Sequence, residues 1–229
     1  QETVDIVYEM FDIVEKYRTI GIVMIDGSLG QMMEPVEMPP MQEIRTEIPE
    51  WAVRGGTDEN RRVLSSVHLE PEDMEVLNMR LLKKWQTIEK NEKRFKDYYM
   101  DDAKIAVIGN GTAGRIALSA VRAARAEGIP VGLLRPVSLS PFPYEVIEEL
   151  TNQVDKILVV EMNSGMMLED ILKAVKGKIS VEFFGRVGGI MPYPEEIEAE
   201  IHRIAKSSEV SDVHPRDLWL KRMESVIQF

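Results

Sequence analysis

Gly109, Gly111 and Gly114 stand at G-x-G-x-x-G spacing between an apolar run and a helical pattern. That arrangement sets a dinucleotide pyrophosphate on the N-terminus of a helix. A nicotinamide site of this kind also needs an acidic residue at the end of the next strand, roughly 20 residues on, to hold the ribose hydroxyls. Arg135 and Pro136 occupy that place, which removes the partner for NAD and leaves a weaker case for a 2′-phosphate. The same stretch half-completes the G-x-x-x-x-G-K-[ST] loop. After Gly114 come Arg115 and Ile116, where the phosphate lysine and the magnesium hydroxyl are required. Two readings stay open: glycines that only permit a tight strand-to-helix turn, and anion or cofactor contact at the helix N-terminus.

Other chemistry-bearing residues are sparse. Arg115, Arg135 and Arg186 fall just past predicted strand or turn positions on one edge, where they either bind an anionic ligand or acidic partner, or pair internally. Glu161 and Asp170 could act as carboxylate partners across a turn, or serve as helix-cap and salt-bridge residues. His68, His202 and His214 are far apart from one another, and each reads as a surface histidine, not as a metal ligand. Ser164 lies in N-S-G, not in the G-x-S-x-G elbow of a serine hydrolase. With Cys 0 the chain supplies no disulfide, thiolate metal site or cysteine nucleophile. On residues alone, no catalytic group and no metal site is assigned.

These residues require a framework to position them. From residue 103 onward apolar runs and helical patterns alternate, with strands predicted at 104–108, 130–134, 156–161 and 179–184. Helices are predicted near 113–127, 144–152, 167–176 and 194–206. Runs such as ILVV are too uniformly apolar for a half-exposed sheet, so the expected fold is α/β, an open, mostly parallel, doubly wound sheet. Ligands and partners of such sheets meet the carboxyl ends of the strands. Upstream, Val7, Met10, Val14 and Tyr17 recur at helical spacing, and residues 21–25 read as a buried strand. A proline- and glycine-rich irregular stretch follows. Pro71 then opens a long linking helix whose apolar face is read as Met74, Leu77, Leu81, Trp85, Ile88, Phe95 and Tyr99. One helix and one strand make no core, and the chain begins with Gln1, so a larger α/β domain is expected to start outside this sequence.

Composition narrows the partners. The 229 residues are 44% hydrophobic and 29% charged, with a net charge of −11. An acidic chain without a basic stripe is a poor match for nucleic acid or for an anionic membrane. No apolar run approaches the ~20 residues of a membrane span, and no signal-peptide pattern opens the chain, so the cytoplasm is expected. Met32, Met33, Met38 and Met41, and likewise Met162, Met166 and Met167, cluster near two loops and read as core or subunit contacts.

The strings DGSLGQMMEP, NMRLLKKW, GNGTAGRIALSAVRAARAEGIPVGLLRP, SLSPFP, ILVVEMNSGMM and GRVGG, in that order, resemble the alpha subunit of 2-oxoacid:ferredoxin oxidoreductases. The likeness is strongest to the 2-oxoglutarate and 2-ketoisovalerate members. It implies a thiamine-diphosphate enzyme that decarboxylates a 2-oxoacid, passes electrons through iron–sulfur clusters to ferredoxin and transfers the acyl group to coenzyme A. On this resemblance residues 1–40 end a pyrimidine-binding domain, 41–102 are an irregular linker and long helix, 103–207 are a transketolase C-terminal-like domain and 208–229 an extension. Thiamine diphosphate and Mg belong to the whole complex, iron–sulfur clusters to a partner subunit, and none of them to this chain alone, which is expected to be inactive by itself. The implied partners are a beta subunit, with gamma or delta subunits in some assemblies, and ferredoxin; a homodimer is compatible. Asp26, Gly27 and Gln31 are the candidate cofactor-side residues, and Arg115, Arg135, Glu161, Asn163 and Arg186 the substrate- or subunit-facing set. The activating glutamate belongs to an earlier part of the family's pyrimidine domain, so no glutamate here inherits its role. One departure stands out: Gly165 is followed by Met166, where the family commonly has glutamine. The alternative is a free-standing, Rossmann-like dinucleotide-binding protein using residues 109–114.

Overall fold

The computed structural model describes residues 1–44, 46–53, 55–56, 61–207 and 211–226. They form two compact units, one of residues 1–24 with 33–88 and one of residues 25–32 with 89–229.

The first unit contains α1 (Glu2–Tyr17). Arg18 ends it in the left-handed region at φ 47°, which frees its carbonyl to accept from Lys84 Nζ at 3.1 Å. The irregular chain that follows is tied back to α1 by polar contacts: the Gln1 amide exchanges hydrogen bonds with the Glu37 backbone at 2.7 and 2.9 Å, and Tyr8 donates to the Pro40 carbonyl at 2.9 Å. Tyr17 and Ile88 are its buried large side chains. Residues 21–25, expected as a buried strand, form no strand, and Ile22 and Met24 are 74% and 77% exposed. Strand geometry needs a ladder partner, and none pairs with this segment among the described residues.

The second unit holds α2 (Gly27–Gln31) and a five-stranded sheet, with strands β1 (Phe95–Tyr98), β2 (Ile105–Ile108), β3 (Val131–Pro136), β4 (Lys156–Glu161) and β5 (Ser180–Gly185). Strand order is β1-β3-β2-β4-β5, with β1 antiparallel to β3 and all other pairs parallel. The expected mostly parallel α/β sheet is therefore present. β1 is an addition. Phe95 and Tyr99, read above as the continuation of the helix face, lie beyond α3 (Pro71–Asn91), and Phe95 opens the strand paired to Pro136. Spacing alone cannot distinguish a helix that continues from one that stops.

Each crossover carries a helix. α4 (Gly111–Ala126) packs with α7 (Pro194–Lys206), and α5 (Tyr144–Leu150) packs with α6 (Met166–Val175). Ala113, Ala117, Ala120 and Ala124 recur at helical spacing and are buried. Small side chains on that stripe let α4 lie close on the sheet and on α7. All four residues of β2 are buried, which is why its sequence does not alternate. Gly128 (φ 88°) and Gly177 (φ 72°) follow the ends of α4 and α6 in the left-handed conformation, as C′ glycines do.

An eighth helix, α8 (Pro215–Glu224), packs on β5. Arg203 of α7 binds Glu182 at 2.9 Å and Glu200 at 2.8 Å, while Arg222 of α8 donates to the Phe183 carbonyl at 2.9 Å. Burial pulls the Arg222 guanidinium below its ordinary pKa, with Arg203 adding to the fall and Glu200 and Glu182 opposing it. Trp219 of α8 meets the Phe183 ring edge-on at 5.2 Å.

Candidate functional site

The carboxyl edge of the parallel strands is where the predicted residues gather, and its two central turns differ from a ligand-binding edge. At the first turn, a Cβ on Gly114 would lie 2.6 Å from the Gly109 carbonyl oxygen and 3.0 Å from Arg135 Cδ, and one on Gly109 would lie 3.1 Å from the Val160 carbonyl oxygen. Gly111 has φ 53°. These glycines serve close approach of helix to strand and a left-handed turn, as the structural reading of the motif requires.

The positive end of α4 is already occupied. Asn110, its N-cap, makes no side-chain cap; instead Asp26, far upstream, accepts from the Thr112 N–H at 2.8 Å and the Thr112 hydroxyl at 2.7 Å. The same carboxylate accepts from the Leu29 N–H at 3.0 Å and so caps α2 as well. Partial burial pushes the Asp26 carboxyl up, but hydrogen bonds from the Leu29, Thr112 and Ser28 N–H groups and the Thr112 hydroxyl outweigh it and hold the pKa below the ordinary carboxylate value. A pyrophosphate at this terminus would have to displace Asp26. The dinucleotide alternative loses its site here.

At the second turn, the end of α6 is filled in the same way by local residues. Glu161, 3% exposed at the end of β4, accepts from the Met167 and Leu168 N–H groups, both at 2.9 Å. Asn163 Oδ1 accepts from Gly165 N at 2.7 Å and Met166 N at 2.9 Å. The four amides that a helix start leaves without intrahelical partners are thereby satisfied. Glu161 is a helix cap, not a partner of Asp170, which instead accepts from the Tyr144 hydroxyl. That bond, with burial and the charges of Asp170 and Glu89, pushes the Tyr144 pKa up to about 12, out of range for acid–base work near neutrality.

Arg186 is paired to Glu196, whose Oε2 also accepts from the Tyr193 N–H at 2.9 Å to cap α7, so its charge is used internally. Arg135 sits half-buried on β3 with its stem against Gly114, and Arg115 is exposed, five residues into α4. Gly27 and Gln31 are exposed at the two ends of α2. The structure brings Asp26 to α4, and Glu161 and Asn163 together at α6.

Sequence reasoning missed Arg216. It donates to the Ser164 carbonyl at 2.6 Å, the Gly165 carbonyl at 2.9 Å and Glu169 at 2.6 Å, fixing the N-S-G loop from outside. His214 caps α8, its Nδ1 accepting from the Arg216 N–H at 3.2 Å. The signal was present: His214-Pro215 with Asp217 in the first turn is a helix start. Among the described residues Glu127, Glu198 and His202 lie close enough to share a cation; they are surface groups in which His202 already contacts Glu127 at 3.3 Å and Glu198 at 4.0 Å. A groove of about 550 Å³ in the first unit, lined by Leu81, Leu82, Trp85 and Ile88, is mainly apolar and holds no acid–base pair.

Residues 103–197 match the family described as pyruvate:ferredoxin oxidoreductase core domain II. The chain is 39% identical over 208 residues to the ketoisovalerate oxidoreductase subunit VorB of Methanothermobacter thermautotrophicus, covering 91% of this chain and 59% of that one. It is 29% identical over 225 residues to the 2-oxoglutarate synthase subunit KorA of Methanothermobacter marburgensis, covering 86% and 60%. It thus spans about three fifths of these relatives. In fold it is similar to the 2-oxoglutarate:ferredoxin oxidoreductase from Magnetococcus marinus, with a TM-score of 0.52 at 19% identity over 61% of this chain and 24% of that one. No helix among the described residues is long and apolar enough to cross a membrane.

Proposed function

Since the chain is homologous to subunits of 2-oxoacid:ferredoxin oxidoreductases, we propose that it is part of the alpha subunit of such an enzyme, acting in the cytoplasm with a beta subunit and ferredoxin. The reaction would convert a 2-oxoacid and coenzyme A to acyl-CoA and CO2, with two electrons passed through iron–sulfur clusters to ferredoxin. In this reading residues 1–40 end a pyrimidine-binding domain and 103–207 are the transketolase C-terminal-like domain. The single observation that carries it is the 39% identity to VorB across 91% of the chain.

The geometry supports a scaffolding part for this domain. Thiamine diphosphate needs amide donors and a metal for its diphosphate, and the residues at the carboxyl edge do not fit it. The helix N-termini of α4 and α6 already hold the carboxylates of Asp26 and Glu161, and a second anion there would meet like charge. The cofactor's chemistry, stabilising the carbanion left by decarboxylation, is therefore assigned to residues elsewhere in the complex. What this chain's own residues do is hold the edge rigid: Asp26 anchors α2, and Glu161, Asn163 and Arg216 fix the turn after β4.

The test is reconstitution of the full-length chain with its companion subunits. Reduction of ferredoxin that depends on thiamine diphosphate, coenzyme A and a 2-oxoacid is expected, with 2-ketoisovalerate tried first because VorB is more similar than KorA. Absence of turnover with every 2-oxoacid, together with NAD or NADP binding by the chain tighter than about 100 μM, would reverse the assignment.

A further inference from the structure

α7 carries Glu198 and His202 one helical turn apart, and α4, which packs against it, ends at Glu127. Glu127 lies between α4 and the start of β3, at the amino edge of the parallel strands and so opposite the two turns described above. The ligand atoms of the three side chains all lie within 4.8 Å of one another. His202 Nε2 is 3.3 Å from Glu127 Oε2 and 4.0 Å from Glu198 Oε1. A zinc ion bound by nitrogen and oxygen at about 2.0–2.2 Å holds tetrahedral ligands about 3.3–3.6 Å apart, so rotations of the side chains alone close the set around one ion. Their backbones are already fixed: Ile197 and Ile201, each one residue before a ligand, and Ala124, in the turn before Glu127, are fully buried. The side chains of Glu198 and His202 are 24% and 29% exposed, whereas Glu127 at 59% leaves a way in.

Charge points the same way. Glu127 caps the negative end of α4, where a carboxylate is unfavourable and a cation is favoured. Arg125, in the last turn, is committed to Asp102 by two hydrogen bonds of 2.9 Å. A proton on His202 Nε2 cannot serve both carboxylates, because Glu198 at 4.0 Å lies beyond hydrogen-bonding distance. A cation among the three would bind both carboxylates and the neutral imidazole at once. We propose that Glu127, Glu198 and His202 form a binding site for a divalent transition-metal ion of the zinc class, which clips the end of α4 to α7. The imidazole separates this set from ordinary acidic surface: a nitrogen donor with two carboxylates suits zinc and its neighbours, whereas Mg²⁺ and Ca²⁺ favour oxygen ligands. The role is structural, and the proposal stands whether or not the chain is an oxidoreductase subunit.

The test titrates the full-length chain, freed of metal by chelation, with Zn²⁺ against a chromophoric indicator and follows the thermal midpoint. Zn²⁺ is expected to bind with a Kd tighter than about 100 μM and, in excess, to raise the midpoint. His202→Ala, Glu198→Gln and Glu127→Gln, each with the circular dichroism of the parent, are expected to weaken binding by about tenfold or more and to remove the rise in midpoint. His68→Ala and Glu195→Gln, a histidine and an exposed α7 carboxylate outside the cluster, are the controls and should bind as the parent does. In the unaltered chain Zn²⁺ should protect His202, and not His68, from diethyl pyrocarbonate, read by mass spectrometry of the peptides. Binding weaker than about 100 μM, binding that survives His202→Ala, or modification of His202 as fast with Zn²⁺ as without it overturns the site. Displacement of Zn²⁺ by an equal concentration of Ca²⁺ also overturns it, since that outcome assigns the binding to general attraction by acidic surface.

Discussion

The N-termini of α4 and α6 solve one electrostatic problem in two ways. Both point to the carboxyl edge of the sheet, and both are met by a carboxylate of the chain itself. At α6 the carboxylate is Glu161, six residues before the first amide it binds, fully buried and helped by Asn163. At α4 it is Asp26, 86 residues before Thr112, half-buried and shared with α2. The first is a local cap that holds one turn in shape. The second is a tertiary latch that fastens residues 25–32 to the sheet domain, which is why the segment belongs to the second compact unit while its flanks belong to the first.

The comparison is tested most strongly at Glu161. Glu161→Ala leaves two buried amides without an acceptor, and a loss of about 2–4 kcal/mol is expected in urea unfolding. A loss under about 1 kcal/mol would mean that Asn163 alone suffices. Gly114→Ala comes next at about 2–3 kcal/mol. The added methyl meets a backbone carbonyl 2.6 Å away, so it should cost stability even though alanine is the better helix former. Asp26→Ala is expected to cost about 1–2 kcal/mol, with a signature that Glu161→Ala lacks: amide exchange should quicken in residues 27–31 as well as at Thr112. Equal exchange in the two variants would erase the distinction between cap and latch.

The pH response sharpens it further. The folded-state pKa of Asp26 lies below its unfolded value, so the stability it contributes is fully present above the ordinary carboxylate range and is lost as pH falls through the lowered value. The stability difference between the parent and Asp26→Asn should therefore shrink as the solution is taken below about pH 4. The smallest effect lies outside both turns. Hydrogen bonds from Lys176 and Lys178 hold Glu148 at about 2, and Lys176→Met with Lys178→Met should return its NMR titration toward 4.5.

Much of the sheet domain was legible because its determinants are local. The apolar runs of β2 to β5 and the helices between them sit within a few residues of their predicted places. Gly128 and Pro194 mark ends that backbone geometry requires. β1 was missed because Phe95 and Tyr99 keep the spacing of the helix before them, and only pairing with β3 makes a strand of that segment. Residues 21–25 were misread for the converse reason: their composition is that of a buried strand, but a strand is a property of two segments. At the candidate site, Glu161 lay close to the helix it caps, so a cap was among its readings from the start, whereas Asn163, read only as facing substrate or a subunit, caps the same helix. Asp26 as the anion on α4 was not among the open readings, since nothing in residues 109–114 points to a carboxylate so far upstream.

By itself the sequence determined the α/β alternation, the close glycine turn after β2 and the family likeness. Each follows from residue type and short-range order. Only the tertiary structure decided that the two helix N-termini, which look open to a ligand, are closed by the chain's own carboxylates. Helix-end electrostatics accept any anion brought within hydrogen-bonding distance, and distance in space is set by packing, not by position along the chain.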